Sequence, residues 1–239
     1  MDRSDEMKYI EDIDNRYRNS ETEEGLIIRR LLAMYLREKK INLEKTKALD
    51  NLVDNSRRDE LTGLYNRKAI IPYFRNTLNS TNPIDQNTSF SIITIDLDHF
   101  KSVNDTYGHN VGDDVLRIVA EGLIRTFKKR DLIVRDGGDE FLVVVKNCDL
   151  SILVYKTEVM SNYITECIHK ELNDKVNEFG MPITRPHEYT ISFGIREMDI
   201  SKLKDINDDD EFKSWFKDEK EYADKAAYVQ KEEHHSVRR

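Results

Sequence analysis

Residues 132–145 have the sequence LIVRDGGDEFLVVV, in which two glycines and two acidic residues separate two apolar runs. Apolar runs that flank a glycine pair predict two strands joined by a tight turn. Glycine has no Cβ, so the turn can adopt positive φ angles and a ligand can approach its backbone closely. Acids at such a bend either are solvated, as in an ordinary hairpin, or bind a divalent cation that shares its oxygen ligands with a phosphate.

A second acidic cluster follows an apolar run earlier in the chain. Residues 90–96, FSIITID, predict a strand that ends in Asp96, where a carboxylate is poorly solvated unless it is paired or binds a metal. A structural alternative is that Asp96 or Asp98 caps the next helix. If one sheet places Asp96 beside Asp139 and Glu140, the three carboxylates repel each other unless a cation neutralises them. The pattern then predicts two Mg²⁺ ions and a phosphate substrate.

The composition restricts the class of protein. With 239 residues, 38% hydrophobic and 35% charged, the chain is long enough for one domain and an appendage. A net charge of −8 argues against a nucleic-acid partner, although a nucleotide needs only a local cationic pocket. No apolar run approaches the roughly 18 residues of a membrane span, and the N-terminus does not resemble a signal peptide. Cys148 and Cys167 lack metal-ligand spacing, which predicts reduced thiols in a cytoplasmic protein.

The chain divides into an N-terminal helical segment, residues 1–57, and a globular domain, residues 58–239. Residues 20–23, SETE, fit a capping box that would start a helix near Glu21. The apolar residues that follow have helical spacing: Ile28, Leu31, Leu32, Tyr35, Leu36, Leu43, Leu49 and Leu52. This stripe is too narrow to fold alone, so it packs on its own domain or, as we favour, pairs with a second copy.

The globular domain alternates strand and helix patterns. Asn66 is predicted to cap a helix that ends near Leu78. Further helices are predicted around residues 115–127, 159–172 and 212–233, and another strand at 189–195. Because a hairpin lies in the middle of this series, we expect a mixed sheet with helices packed on it.

Six segments carry a resemblance to a known family. They are residues 58–67 (RDELTGLYNR), 95–109 (IDLDHFKSVNDTYGH), 112–116 (GDDVL), 137–141 (GGDEF), 190–194 (TISFG) and 223–228 (ADKAAY). In this order they resemble the motifs of GGDEF-domain diguanylate cyclases, over about residues 57–233. The resemblance implies an α+β fold like the nucleotide-cyclase and polymerase palm: a central, mainly antiparallel sheet wrapped by helices, here with an N-terminal helical extension.

The resemblance also implies the metal and catalytic residues. Asp96, Asp139 and Glu140, with the carbonyl of Leu97, would hold two Mg²⁺ ions, or Mn²⁺ in their place. Glu140 and Asp139 are the candidate catalytic residues, and which of them is the base stays open.

The substrate-binding residues are implied in the same way. Asn104 and Asp113 would bind the guanine edge, since Asp accepts from its N–H groups and Asn both donates and accepts. Backbone amides around Phe100 and Lys101 would bind phosphates. Gly137 and Gly138 would leave room for the nucleotide, and Lys231 on the last helix is a further substrate-binding residue.

The implied reaction joins two GTP molecules into cyclic di-GMP and releases two pyrophosphates. Each protomer presents one GTP, so the mechanism needs a homodimer, which the N-terminal helices would hold together. One alternative is a non-catalytic nucleotide-binding module, but degenerate members usually lose a glycine or an acid of the hairpin, and none is lost here. Another is a cyclase that also accepts ATP, which predicts a change at Asp113, and Asp113 is intact.

Two positions depart from the pattern of the family, and both are expected to carry arginine side chains. His235 stands where a phosphate-contacting arginine is expected, and imidazole lacks the bidentate fork of arginine. We therefore expect a higher Michaelis constant for GTP, unless Arg238 or Arg239 compensates. In the product-inhibition motif Arg-x-x-Asp, Lys128 replaces the arginine before Asp131, which predicts weak or absent feedback inhibition.

A third departure is Asp136, which stands directly before the glycines where a bulky residue is common. It adds negative charge beside the predicted metal site, and the sequence indicates no consequence.

Overall fold

The computed structural model describes residues 3–78, 88–176, 181–184, 186–204, 206 and 208–236; at 3, 4, 78, 204 and 229–236 it describes only the backbone. The chain separates into two compact units, residues 1–56 and 57–239. Among the described residues, no helix combines the length and the apolar character needed to cross a membrane. Cys148 and Cys167 are free thiols, as predicted.

The first unit is a helical hairpin of α1 (Arg3–Tyr17) and α2 (Glu23–Ser56). Glu6 joins the two helices, because its carboxylate accepts a hydrogen bond from the Tyr35 hydroxyl and forms an ion pair of 2.6 Å with Lys39. The prediction that α2 begins near Glu21 is wrong by two residues. Thr22, rather than Ser20, is the cap, since its Oγ1 accepts from the Gly25 amide at 3.2 Å.

The second unit contains five strands and five α-helices within the described residues. In chain order they are β1 (Tyr65–Asn66), α3 (Ile70–Leu78), β2 (Phe90–Leu97), α4 (Phe100–Tyr107), α5 (His109–Thr126), β3 (Leu132–Gly137), β4 (Glu140–Lys146), α6 (Leu150–Asn173), β5 (Ile191–Glu197) and α7 (Asp209–Ser236). As predicted, Asn66 is a cap: its side chain accepts from the Lys68 amide at 2.9 Å, at the start of a 3₁₀ turn that leads into α3.

The strands form one sheet in the order β1-β3-β4-β2-β5. Among the strands of the described residues, β1–β3 is the parallel pair, and β3–β4, β4–β2 and β2–β5 are antiparallel. Side chains of a strand alternate between the two faces of a sheet. The interior strand β2 therefore points Ile93 and Ile95 to one face, and Ile92, Thr94 and Asp96 to the other.

Each face of the sheet has its own apolar core. On the Ile93 face, buried residues of α5 and α6 pack on the sheet, among them Val119, Leu123, Met160 and Ile164. On the opposite face, α3 and α7 contribute an aromatic cluster of Phe74, Phe212, Trp215 and Phe216. The fold class predicted from the resemblance, a mainly antiparallel sheet wrapped by helices with an N-terminal helical extension, is confirmed.

Candidate functional site

Two predicted metal ligands lie on directly paired strands. Asp96 is opposite Glu140 on β4 and opposite Ser192 on β5. Side chains directly opposite in antiparallel strands share a face, with Cβ atoms only about 5 Å apart. Asp96 is half-buried, whereas Glu140 is exposed. Two carboxylates at this separation repel each other unless a cation lies near them.

These carboxylates line a cavity between the sheet and α7. Its volume is about 280 Å³, and its walls include Thr94, Asp96, Glu140, Ser192, Lys220 and Asp224. Burial raises the pKa of Asp224, and the negative charges of Glu140 and Asp136 add to the effect, while Lys220 opposes it. The cavity therefore concentrates negative charge around one ammonium group.

The hairpin turn follows the prediction at Gly138, whose φ of 52° suits a residue without a Cβ. Asp139 is half-buried beside it. The guanidinium of Arg135 donates to the Gly138 carbonyl at 2.8 and 3.0 Å and also to the carboxylate of Asp59 at 3.1 Å. Asp59 in turn accepts from the Thr62 amide and hydroxyl at 2.9 and 2.7 Å. The turn that carries Asp139 is thus braced by the segment before β1.

Asp136 occupies a β-bulge. The β3–β4 register shifts between Arg135 and Gly137, and the extra residue of a bulge is re-aimed relative to its neighbours. The Asp136 side chain is 3% exposed and contacts Arg67 Nε and Lys220 Nζ, both at 2.7 Å. Burial alone would raise its pKa, but the hydrogen bonds from Arg67 and Lys220 outweigh burial and lower the pKa.

Lys220 is a residue of the site that the motifs do not indicate. Burial opposes its charge, but the hydrogen bond to Asp136 and the attraction of the surrounding acids raise its pKa. A signal was present in the sequence: buried apolar residues of α7 recur at Phe212, Phe216, Ala223 and Ala227, and Lys220 interrupts this face.

Asp98 is not among the residues that line the cavity, and its carboxylate is bound by residues at the start of β5. Its carboxylate is 1% exposed and accepts from Thr190 Oγ1 at 2.6 Å and from Ser192 Oγ at 2.9 Å. The cap residue of α4 is His99, with a φ of 61° and no side-chain cap hydrogen bond. The alternative that Asp98 caps α4 is therefore wrong, since this carboxylate ties β2 to β5.

Of the residues predicted to bind the guanine, Asn104 lies on α4 and Asp113 on the first turns of α5. A Cβ built on Gly112 would lie 2.0 Å from Asn104 Oδ1, so the absence of a side chain at Gly112 lets the Asn104 amide pack against α5. Both Asn104 and Asp113 are half-exposed. The structure thus places Asn104 against Gly112, the residue that precedes Asp113.

The predicted phosphate-binding amides belong to the first turn of α4. The amides of Ser102 and Val103 donate to the His99 carbonyl at 2.8 and 3.3 Å. The first amides of a helix, here those of Phe100 and Lys101, have no acceptor inside the helix and attract anions. The Phe100 side chain packs against the core, and Lys101 is exposed.

The two residues of the predicted inhibitory site share a turn. Lys128 is exposed, and its amide donates to Asp131 Oδ2 at 2.8 Å. The Asp131 side chain is buried, so this carboxylate stabilises its own turn. The side chains of Lys231 and His235 lie outside the described residues.

The donor set fits Mg²⁺ or Mn²⁺. Among the described residues, no three His, Cys, Asp or Glu side chains are grouped closely enough to enclose a metal. Mg²⁺, however, is usually bound by one or two carboxylates and completed by water and substrate phosphates. The pair of Asp96 and Glu140 provides such a partial site, with Asp139 and the Leu97 backbone adjacent in sequence.

Comparisons with known proteins identify the family of the chain. The family described as "Diguanylate cyclase, GGDEF domain" matches residues 56–235. The probable diguanylate cyclase DgcT of Escherichia coli K12 is 34% identical over 137 residues, which are 57% of this chain and 27% of DgcT. The cyclic di-GMP phosphodiesterase PdeR of the same strain is 36% identical over 110 residues, 46% of this chain and 16% of PdeR. The chain thus spans only a minor part of either relative.

A solved structure shows the same fold. The crystal structure of the coiled coil and GGDEF domain of DgcB from Caulobacter crescentus, in complex with c-di-GMP, matches with a TM-score of 0.59 and 24% identity. The match covers 84% of this chain and 94% of that one. From the family match over most of its length and from the placement of the motif residues, the chain belongs to the GGDEF-domain family of diguanylate cyclases.

Proposed function

We propose that the chain is an active diguanylate cyclase that condenses two GTP molecules into cyclic di-GMP and releases two pyrophosphates. The observation that carries the proposal is the pairing of Asp96 with Glu140 in the wall of the cavity, next to the braced hairpin. The family match supports it, and every glycine and acid of the 137–141 motif is present.

The proposed metal ligands are Asp96, Asp139, Glu140 and the Leu97 carbonyl. Bound Mg²⁺, or Mn²⁺, would supply positive charge to the triphosphate. In each half-reaction a bond forms between the 3′-oxygen of one GTP and the α-phosphorus of the other. The bond from that phosphorus to the β-phosphate bridging oxygen breaks, and pyrophosphate leaves. The proton of the 3′-hydroxyl passes to a carboxylate, for which Glu140 and Asp139 are the candidates.

The remaining residues would orient the nucleotide. Asn104 and Asp113 would bind the guanine edge, supported by the Asn104–Gly112 contact. The amides of Phe100 and Lys101 would bind phosphate oxygens at the α4 N-terminus. The open backbone of Gly137 and Gly138, both exposed, would leave room for the ligand. Lys231 would contribute a further contact.

The reaction requires two half-sites, so we propose a homodimer that forms through the N-terminal helices, with one GTP in each protomer. The proposal includes a cytoplasmic location, where GTP and reduced thiols are available. It also includes weak product inhibition, because Asp131 is buried against its own turn and Lys128 offers a point charge rather than a planar fork.

The test is incubation of the purified chain with Mg²⁺ and GTP, with and without ATP, followed by chromatography of the products. We expect cyclic di-GMP from GTP alone. Substitution Glu140→Gln should lower the rate by roughly a hundredfold or more, the usual scale for removing a charge that acts on the transition state. Glu166→Gln, which changes an exposed glutamate on α6, is the matched control and should leave the rate unchanged.

A non-catalytic nucleotide-binding module is the second candidate, favoured by His235 in place of the expected arginine. It predicts that GTP binds but no cyclic dinucleotide forms. Mixed dinucleotides in the presence of ATP would instead indicate the less selective cyclase.

A further inference from the structure

Lys220 reaches the predicted metal site from α7. Its ammonium is 2.7 Å from Asp136 Oδ2, 3.3 Å from Glu140 Oε2 and 3.9 Å from Asp224 Oδ2. An ammonium has three donors and no acceptor, so the geometry lets it bond Asp136 and Glu140 at once. Glu140 is one of the two carboxylates paired across β2 and β4.

The buried carboxylate of Asp136 fixes the position of this ammonium. The Asp136 side chain is 3% exposed, and a buried carboxylate is stable only when it is paired. Of its two cationic partners, Arg67 is 69% exposed and Lys220 is 22% exposed. Lys220 is therefore the more buried partner. The Asp136 carboxylate, at the β-bulge, holds the Lys220 ammonium next to Glu140.

We propose that Lys220 is a positioning residue: a resident counter-ion that holds the Glu140 carboxylate and opposes entry of a divalent cation until nucleotide is bound. The inference rests on the proposed function and adds the regulation of metal entry to it. A positive charge beside a metal ligand repels an incoming cation, and nucleotide phosphates offset that repulsion with their own negative charge. Metal and nucleotide would then bind cooperatively.

The competing interpretation is that Lys220 only neutralises Asp136. In that case the two halves of the ion pair are equivalent, and removing either one lowers stability without changing metal affinity. If Lys220 opposes the metal, the two residues have opposite roles, because Lys220 places a positive charge beside Glu140 whereas the negative charge of Asp136 offsets part of it.

The experiment titrates Mn²⁺ alone into the full chain without nucleotide and measures free Mn²⁺ by electron paramagnetic resonance. We expect Lys220→Met to bind Mn²⁺ roughly tenfold more tightly than the wild type, from the loss of one charge near a ligand at the effective dielectric of a protein surface. Asp136→Asn should bind it no more tightly than the wild type. Lys217→Met, an exposed lysine of the same helix, is the matched control and should leave the affinity unchanged.

A second variant controls for misfolding, because Lys220→Met leaves the buried Asp136 carboxylate with Arg67 as its remaining cationic partner. The double variant Asp136→Asn, Lys220→Met removes both charges and should keep the tighter Mn²⁺ binding, with a cooperative thermal transition by circular dichroism. With a non-hydrolysable GTP analogue present, the difference between wild type and Lys220→Met should shrink.

Three outcomes would overturn the inference. The wild type and both Lys220 variants could bind Mn²⁺ with equal affinity, or none of them could bind it. Asp136→Asn could also tighten Mn²⁺ binding as much as Lys220→Met does. Because no turnover is measured, the result is separate from that of the proposed function. Cyclic di-GMP production with unchanged Mn²⁺ affinity rejects the role of Lys220 alone, and tighter binding by the variants in a chain that makes no product rejects the cyclase activity alone.

Discussion

The side-chain amide of Asn104 lies against the backbone of Gly112, one residue before Asp113. A methyl group on Gly112 would lie 2.0 Å from Asn104 Oδ1. This atom ends a movable side chain, so the amide would rotate away while the helix stays intact. The contact therefore provides a way to move one predicted guanine ligand without changing it.

We expect Gly112→Ala to raise the Michaelis constant for GTP roughly tenfold, the equivalent of one lost hydrogen bond, with little change in melting temperature. Steady-state kinetics and thermal unfolding measure the two effects. Gly122→Ala is the matched control on the same helix: its methyl would meet Ile164 Cγ1 at 2.3 Å in the core. Overpacking should cost about 1–3 kcal/mol of unfolding free energy and leave the Michaelis constant unchanged. Unchanged GTP kinetics in Gly112→Ala would argue against Asn104 as a ligand.

At the residue scale, the sequence predicts the site residues that stand in local motifs. It does not predict contacts between residues that are distant in sequence and meet only in the folded chain. Asp96, Glu140 and the glycines stand in recognisable runs. The partnership of Asp136 and Lys220 joins residues 84 positions apart, and neither residue has a local pattern that identifies the other. The direction of Asp136 depends on a bulge, which a one-residue register shift creates and which composition does not encode.

The β3–β4 hairpin depends on the segment before β1. Arg135 joins the Gly138 carbonyl to Asp59. Burial alone would raise the pKa of Asp59, but the hydrogen bonds from Thr62 and Arg135 outweigh it and lower the pKa below the usual 3.8. A carboxylate with a lowered folded-state pKa stabilises the fold above its unfolded pKa, and this stabilisation is lost as the pH falls through the folded value.

We expect Asp59→Asn to lower the unfolding free energy by about 1 kcal/mol at neutral pH, since the pair is only partly exposed to solvent screening. The deficit relative to the wild type should shrink as the pH falls below the usual Asp pKa of 3.8. Urea unfolding at a series of pH values measures it. Asp218→Asn on α7, an exposed aspartate, is the control. A deficit that stays constant with pH would show that the Asp59 carboxylate does not stabilise the hairpin through Arg135.

The sequence predicts helices and strands well where the apolar residues have a strong periodicity. It predicts the boundaries of these elements less well. The apolar alternation of β2 and β4 and the helical spacing in α5 and α6 indicate these elements directly. The start of α2 is misplaced because Ser20 and Thr22 are both good caps, and only the backbone path selects Thr22. The strand β1 has two residues, too few for any period, and it exists because β3 offers an edge.

At the scale of the whole molecule, the first unit presents apolar side chains to solvent. On α2, the exposed ones are Leu26, Ile27, Leu31, Met34, Tyr35, Leu36, Ile41, Leu43, Leu49, Leu52 and Val53. Exposed apolar stripes of this extent are typical of surfaces that associate. This agrees with the hypothesis that the helices pair with a second copy.

We expect the double substitution Leu49→Glu, Leu52→Glu to weaken self-association and to lower the specific activity at low protein concentration, because two half-sites must meet. Raising the protein concentration should restore the activity by mass action. Light scattering and product formation over a dilution series measure both effects. Lys47→Glu, at an exposed position on the other side of α2 and with the same change in net charge, is the control. Association and activity equal to those of the control variant would place the dimer contact elsewhere.

The opposed carboxylates of Asp96 and Glu140 also affect how long the protein survives. Like charges at the paired ends of β2 and β4, which Lys220 offsets only in part, weaken the empty fold. A ligand that binds only the folded chain stabilises it more as its concentration rises. Proteases act mainly on transiently opened chains. If the proposed ligands bind here, the abundance of the protein follows nucleotide supply: chains are degraded faster when GTP is scarce and persist when it is plentiful.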